Sequence, residues 1–235
     1  MSLKTKLYKL FPAIPKTNLA IGQKLYALKI KRNEGNVVKA LSIQTDLYGN
    51  IGCGAVGLAT GWVNIDFSIY ENVTYGFDCR KNLPFADSSA KGLYTEHFFE
   101  HLDYFTEVPC FLASCYRSLQ KDGVLRIVVP DAEKYLRGYC TDSWDQLKKT
   151  RPLTDNLYDE TMGIQFETKM QLVNEVFRQG GDHKYAWDYE TLKLSLLKAG
   201  FSLTHKMSYM QSNDLKLQID QPAREPESLY VEAIK

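Results

Sequence analysis

From about Ala40 the chain alternates short apolar runs with glycine-rich and polar turns. Residues 47–51, 63–67, 73–77, 92–95 and 124–129 are rich in β-branched and aromatic side chains and predict strands. Before the last of these, Val108, Phe111, Leu112, Cys115 and Leu119 fall on one face of a 3.6-residue period. That spacing predicts a helix over 106–121, capped by Thr106 and stopped at Asp122-Gly123, with the glycine supplying the left-handed residue beyond its end. Residues 132–188 break the rhythm; polar, aromatic and mostly helical in propensity, they are too long for a plain connection and read as an insertion over the mouth of a site. The rhythm returns with a helix over 189–198, its Leu192, Leu196 and Leu197 facing inward, and with strands near 201–210 and 228–234. Strands alternating with helices predict a three-layer α/β domain over 41–235.

The first 40 residues read differently. They hold nine Lys/Arg and one acid, Glu34, so this stretch carries +8 and the remainder −7. We expect a basic N-terminal arm over 1–40, helical in pieces, interrupted by Pro12, Pro15 and the turn signal at 33–36. Its charge suits a phosphate-bearing carrier or an anionic membrane surface; the acidic remainder, without an RNA-binding motif, argues against nucleic acid. The five cysteines (Cys53, Cys79, Cys110, Cys115, Cys140) are odd in number and lack a C-x-x-C, which points to a reducing compartment. With no apolar leader over 1–15, the expected location is cytoplasmic, or cytoplasmic and peripheral to a membrane. The longest uncharged run, 47–65, carries five glycines and reads as loop around strand.

The chemistry concentrates in two strings. Asn50-Ile51-Gly52-Cys53-Gly54-Ala55-Val56-Gly57 follows a predicted strand and matches G-x-G-x-x-G, where glycines allow a tight turn and close approach of backbone amides to a ligand. A dinucleotide unit places its acid about 20 residues beyond the glycines, after a full helix. Here Asp66 follows Gly54 by 12 residues, and four residues separate Gly57 from Trp62, so the first crossover is shortened and a nicotinamide fold is disfavoured. The second string, His97-Phe98-Phe99-Glu100-His101, matches H-x-x-E-H, which on a helix would present two imidazoles and a carboxylate on one face for zinc. No neighbouring element nominates a third protein ligand, so no metal ligands are assigned; Glu100 and His101 are expected to brace the segment while Phe98 and Phe99 pack.

In order, N-I-G-C-G, G-W-V-N-I-D, D-C-R-K-N-L-P-F-A-D-S-S, E-H-F-F-E-H-L and Y-R-S-L-Q-K-D-G-V-L-R-I-V-V-P-D resemble class I S-adenosylmethionine-dependent methyltransferases. The likeness is to a small bacterial branch of predicted methyltransferases, type 11-like, with this shortened crossover. It runs over 47–139 and resumes at H-K-Y-A-W-D-Y-E-T-L, L-L-K-A-G-F and S-L-Y-V-E-A-I-K. The resemblance implies a Rossmann-like fold whose seven-stranded sheet is mostly parallel with an antiparallel last strand, and S-adenosyl-L-methionine as cofactor. It implies that Gly52, Cys53 and Gly54 wrap the methionine portion, that Asp66 holds the ribose, that Asp78 and Cys79 lie beside the adenine, and that Glu96 and His97 face the sulfonium. Asn50 stands where the usual pattern has an acid, and is expected to orient the loop by hydrogen bonds.

Methyl transfer from a sulfonium is an in-line displacement, in which the protein holds donor and acceptor aligned. A hydroxyl acceptor must also lose its proton, and histidine suits that near neutral pH. His97 and His183 are the candidate bases, His183 because it follows the flexible Gly180-Gly181-Asp182 where the insertion rejoins the core. Asp131, directly after a strand end, is placed to meet substrate or insertion. The expected acceptor is a small molecule or glycan hydroxyl. The competing readings are a zinc hydrolase built on the HFFEH motif and a non-catalytic cofactor-binding or partner protein; oligomeric state has no signature in the sequence.

Overall fold

The computed structural model describes residues 16–235 apart from Ala59 and Ile69. The first element is α1, Lys16–Leu41, followed by strands β1 Leu47–Ile51, β2 Val63–Asp66, β3 Tyr75–Gly76 and β4 Ala90–Glu96. Then come α2 Glu107–Ser118, β5 Leu119–Pro130, α3 Ala132–Tyr139, α4 Asp145–Thr150, a hairpin of β6 Tyr158–Asp159 and β7 Ile164–Gln165, α5 Lys169–Arg178, α6 Tyr189–Lys198, β8 Leu203–Met207 and β9 Ser228–Ile234. The seven-stranded sheet has the order β3-β2-β1-β4-β5-β9-β8. All pairings from β3 to β5 are parallel, and β9 alone is reversed, antiparallel to both neighbours. Seven strands, mostly parallel with a reversed last strand, match the expected fold.

The N-terminal arm is not a separate appendage over its described part. Ile30, Val37 and Leu41 are buried at helical spacing, and Val37 and Leu41 join the main core with Leu47, Ile51, Ile65 and Phe77. These anchors flank residues 33–36 on both sides, so burial carries the helix straight through the turn signal that propensity alone would break. Pro12 and Pro15 lie outside the described residues. The reason that α1 belongs to the core is the sheet's own shortage of cover. Among the described residues no helix lies between β1 and β2, β2 and β3, or β3 and β4. α1 lies over that edge instead, with Tyr26 and Ile30 against Gly76 and Tyr26 edge-on to Phe67.

Two local expectations shift. Thr106 makes no side-chain cap on α2; Asp103 does that work, accepting from the amides of Phe105 and Thr106 and from the Thr106 hydroxyl. Beyond α2 the left-handed residue is Asp122 (φ 63°) rather than Gly123.

The insertion carries its own small core, Tyr135, Leu147, Phe166, Leu172, Val173 and Val176, and includes the hairpin as well as helices. It is fastened to the sheet by charge. Arg151 pairs with Asp159 at 2.7 Å and with Glu227, just before β9, at 2.6 Å, and the Tyr135 hydroxyl donates to the same Glu227. Asp131 caps α3, its Oδ1 accepting from the amides of Glu133 and Lys134, and so meets the insertion. Among the described residues no helix is long and apolar enough to cross a membrane.

Candidate active site

Because β1, β2, β4 and β5 run parallel, their C-terminal ends share one edge of the sheet, the side on which open α/β sheets place ligands. Gly52 leaves β1 with φ 68°, and a Cβ there would come within 2.3 Å of Phe98. Gly54 also has positive φ (53°), but nothing lies within 4 Å of where its Cβ would stand, so its backbone faces open space. Asp66 at the end of β2 accepts from the Gly54 amide at 2.8 Å and the Ser68 amide at 2.6 Å, fixing the loop. Burial pushes the Asp66 carboxyl above its usual range, against the pull of those amides.

Asn50 lines neither of the two cavities that open beside this loop. It is buried behind the loop, where its Nδ2 donates to the Val56 carbonyl at 3.2 Å and to Asn64 Oδ1 at 3.1 Å. Asn64 in turn donates to the Leu58 carbonyl and accepts from the Leu58 amide. This amide pair ties down the helix-free crossover, and explains the departure from the acid of the family pattern. A carboxylate at position 50 has no proton to give to a carbonyl. Asn64 was not singled out by the sequence; its only signal there was a polar residue inside an apolar strand.

Two cavities meet at Gly52 and His101. One, of about 270 Å³, is lined by Asp66, Phe67, Asp78, Cys79 and Phe98 among others. Asp78 is held in a fork by Arg80, with hydrogen bonds of 2.8 and 2.6 Å; burial works against its ionisation, but the guanidinium holds the carboxyl below its ordinary range. The Cys79 thiol is buried and pushed up by burial and by the neighbouring carboxylates, so it is a wall and not a nucleophile.

The other cavity, about 340 Å³, lies under the insertion and is polar, with Glu96, His97, Glu100, His101 and His183 on its walls. Glu96 ends β4 and accepts from Gln221 twice, from the amide at 3.1 Å and from Nε2 at 2.6 Å. His97 is in the left-handed region (φ 51°), a conformation rare for a side-chain-bearing residue and typical of functional turns. Its Nε2 is hydrogen-bonded with Ser228 Oγ at 2.9 Å and its Nδ1 stands 3.4 Å from Glu100 Oε1. Burial, then the nearby Arg224, pushes its imidazole well below the usual range. His183 arrives from beyond α5, its Nδ1 donating to the Val176 carbonyl at 2.6 Å. Burial, then His101, pushes it down to about 4. Both candidate bases are therefore neutral at pH 7 and carry a lone pair. The residues 97–101 do not form the helix that H-x-x-E-H needs. Only Phe99–His101 make a single 3₁₀ turn, with His97 outside it.

No protein-family model and no curated relative matches the sequence. Among solved structures, a SAM-dependent methyltransferase from Thermotoga maritima, described as a possible histamine N-methyltransferase, is 18% identical with a TM-score of 0.50. The match covers 98% of this chain and 99% of that one. The fold is that of the class I methyltransferases. SAM-dependent methyltransferases from Archaeoglobus fulgidus (16% identity, TM-score 0.47, all of both chains) and Mesorhizobium loti (15%, 0.48, 86% of this chain and 97% of that one) are also similar. Within this methyltransferase fold, the two cavities occupy the ligand edge of the sheet.

Proposed function

We propose that this chain is an enzyme that transfers a methyl group from S-adenosylmethionine to a hydroxyl of a small molecule or glycan. The observation that carries the reading is the join of the two cavities at Gly52 and His101. A carboxylate-lined cavity beside a glycine loop opens there onto a second cavity walled by neutral histidines. The residues suit the cofactor: the Gly54 backbone faces open space that a side chain would fill, and Asp66 offers a carboxylate acceptor suited to paired ribose hydroxyls. When bound, the cofactor supplies an electrophilic methyl on a cationic sulfur. Gly52, Cys53 and Gly54 would hold its methionine portion, Asp66 its ribose, Asp78 and Cys79 its adenine side, and Glu96 would lie near the sulfonium, steadied by Gln221.

The chain's own groups then do three things. The insertion covers the second cavity and excludes water, which strengthens every polar interaction within. Arg151, Arg224 and Glu227 on its wall offer polar partners for a hydroxylated acceptor. The hydroxyl proton passes to the histidine cluster, where His97 and His183 are both held unprotonated by burial. We place the enzyme in the cytoplasm, with the exposed Lys29, Lys31, Arg32 and Lys39 of α1 facing an anionic membrane or a phosphate-bearing carrier. Sedimentation with anionic vesicles tests that placement, and vesicles that leave the protein in the supernatant sink it.

The activity is tested by calorimetric titration with S-adenosylmethionine, followed by methyl incorporation across nucleotide sugars and carrier-linked glycans. Native protein binds the cofactor, and Asp66→Ala weakens it about 10–100-fold, the loss of charge-assisted hydrogen bonds. Absence of binding by native protein overturns the reading in favour of a partner protein, and binding unchanged in Asp66→Ala overturns the assigned site.

A further inference from the structure

Three of the chain's four histidines wall one cavity, and two of them converge on a carboxylate that has nothing to bond. Glu100 is 1% exposed, and neither of its oxygens finds a hydrogen-bond partner among the described residues. A buried carboxylate without donors is costly, and each such group in a folded protein calls for an explanation. Beyond His97 Nδ1, 3.4 Å from Oε1 and outside hydrogen-bond geometry, the neighbouring imidazoles turn lone pairs toward it. His101 Nδ1 lies 2.9 Å from the Asp182 carbonyl and His183 Nδ1 lies 2.6 Å from the Val176 carbonyl. A carbonyl only accepts, so both rings carry their proton on Nδ1 and leave the Nε2 lone pair free. His183 Nε2 points at Glu100 Oε1 from 3.7 Å, and the His101 and His183 rings meet edge to face at 4.8 Å between centroids. Two lone pairs and a carboxyl oxygen meet here, and burial pushes that carboxyl up to about 8, so the cluster is arranged to hold a positive centre between its donors, a proton or a metal ion.

We propose that Glu100, His101 and His183 form a binding site for a borderline divalent transition-metal ion such as zinc, at the floor of the acceptor cavity. One donor atom from each lies within 4.8 Å of the others. Bonds of about 2.0–2.2 Å require closer donors, a closure that rotation of the side chains supplies. The donor set selects the metal: two imidazoles and one carboxylate suit zinc, cobalt(II), iron(II) or nickel, whereas magnesium and calcium seek oxygen. Backbone carbonyls behind both Nδ1 atoms are the outer-shell arrangement that fixes a ligating histidine's tautomer and orientation. This is the ligand that the H-x-x-E-H spacing left missing. His97 stands beside the site, tied to Ser228, and His183 supplies the second imidazole from across the insertion. The backbone holds the two segments together, since the Lys184 amide donates to the Glu100 carbonyl at 2.8 Å.

Three protein ligands leave positions open toward the cavity. Resting on the reading of this cavity as the acceptor site, the ion would bind the acceptor hydroxyl and lower its pKa as it does that of bound water. With the His183 lone pair engaged by the ion, His97 would be the imidazole left to take the hydroxyl proton.

The test uses the full chain stripped with chelator, titrated with Co²⁺ alone and followed by visible absorption and calorimetry. One equivalent binds with ligand-field bands in the visible, and Zn²⁺ displaces it. Glu100→Gln and His183→Gln each weaken Co²⁺ at least ~10–100-fold, the scale on which ligand-shell changes act. His205→Gln, on exposed β8, leaves it unchanged. Cofactor binding retained in either of the two site variants shows that the fold survives. No Co²⁺ binding, or equal binding by native protein, Glu100→Gln and His183→Gln, overturns the site. Cobalt binding without S-adenosylmethionine binding would sink the methyltransferase reading alone, and the converse would sink the metal site alone.

Discussion

Two buried charged clusters sit on this sheet, and they are built on opposite plans. Arg126, fully buried on β5, gives two hydrogen bonds to Asp220 (2.8 and 2.6 Å), one to Glu232 (2.9 Å) and one to the Gln211 carbonyl (2.7 Å). The acids are saturated in turn: Asp220 accepts from the Met210 amide, and Glu232 from both the amide and side chain of Asn213. Just past the C-terminal end of β4, Glu100 is equally buried, with His97 and His183 nitrogens 3.4 and 3.7 Å from one oxygen and no hydrogen bond made by either oxygen among the described residues. A saturated cluster locks β5, β9 and the 208–221 loop into one arrangement. An open one holds binding capacity in reserve, and its location in a cavity wall says for what.

The difference should show most strongly in stability. Arg126→Met leaves Asp220 and Glu232 buried without a counter-charge, and is expected to cost about 3–5 kcal/mol in urea unfolding. Glu100→Gln should do the reverse in chelator, leaving the protein as stable as native or more so, because it replaces a buried carboxyl that makes no hydrogen bond and that burial pushes up to about 8. Adding zinc at about 100 times its Kd should then stabilise the native chain by about 2.7 kcal/mol and leave Glu100→Gln unmoved. Thermal unfolding with and without zinc reads that crossing, and equal zinc shifts in the two proteins would erase the contrast. A neutral pair tests the middle ground. Asn50→Asp removes the donor to Val56 and should cost about 1–3 kcal/mol, read by chemical denaturation. The smallest effect belongs to the margin of the saturated network. Tyr94→Phe deletes a 3.4 Å bond to Asp220 and should cost no more than about 1 kcal/mol, since Arg126 and Met210 still satisfy that carboxylate.

Much of the ligand edge was legible because its causes are local. A glycine loop after a strand, an acid at the next strand's end and a missing crossover are features of consecutive residues, and Gly52, Gly54 and Asp66 stand where that reading put them. The helix over 189–198 and the strand over 228–234 keep their boundaries, the helix burying Leu192 and Leu196 as read but leaving Leu197 exposed, the strand buried on both faces. The arm was misread for an equally physical reason. Its nine basic residues dominate the composition, while the three anchors Ile30, Val37 and Leu41 are widely spaced, and only the uncovered edge of the sheet gives them something to bury against. Gln221 behind Glu96 and Ser228 behind His97 had no signal at all, since they come from the loop and strand that return last.

The sequence by itself determined the layered α/β fold, the glycine loop with its acid, and a pair of histidines worth watching, because each follows from hydrophobic period or backbone freedom within a few residues. Tertiary structure alone decided that α1 would serve as the absent crossover's cover, that His97 would be held between Ser228 and Glu100, and that His183 would cross the insertion to meet Glu100 and His101. Those outcomes depend on which side chains run out of partners once the core has closed. That is a property of the packed whole, and no window of the chain contains it.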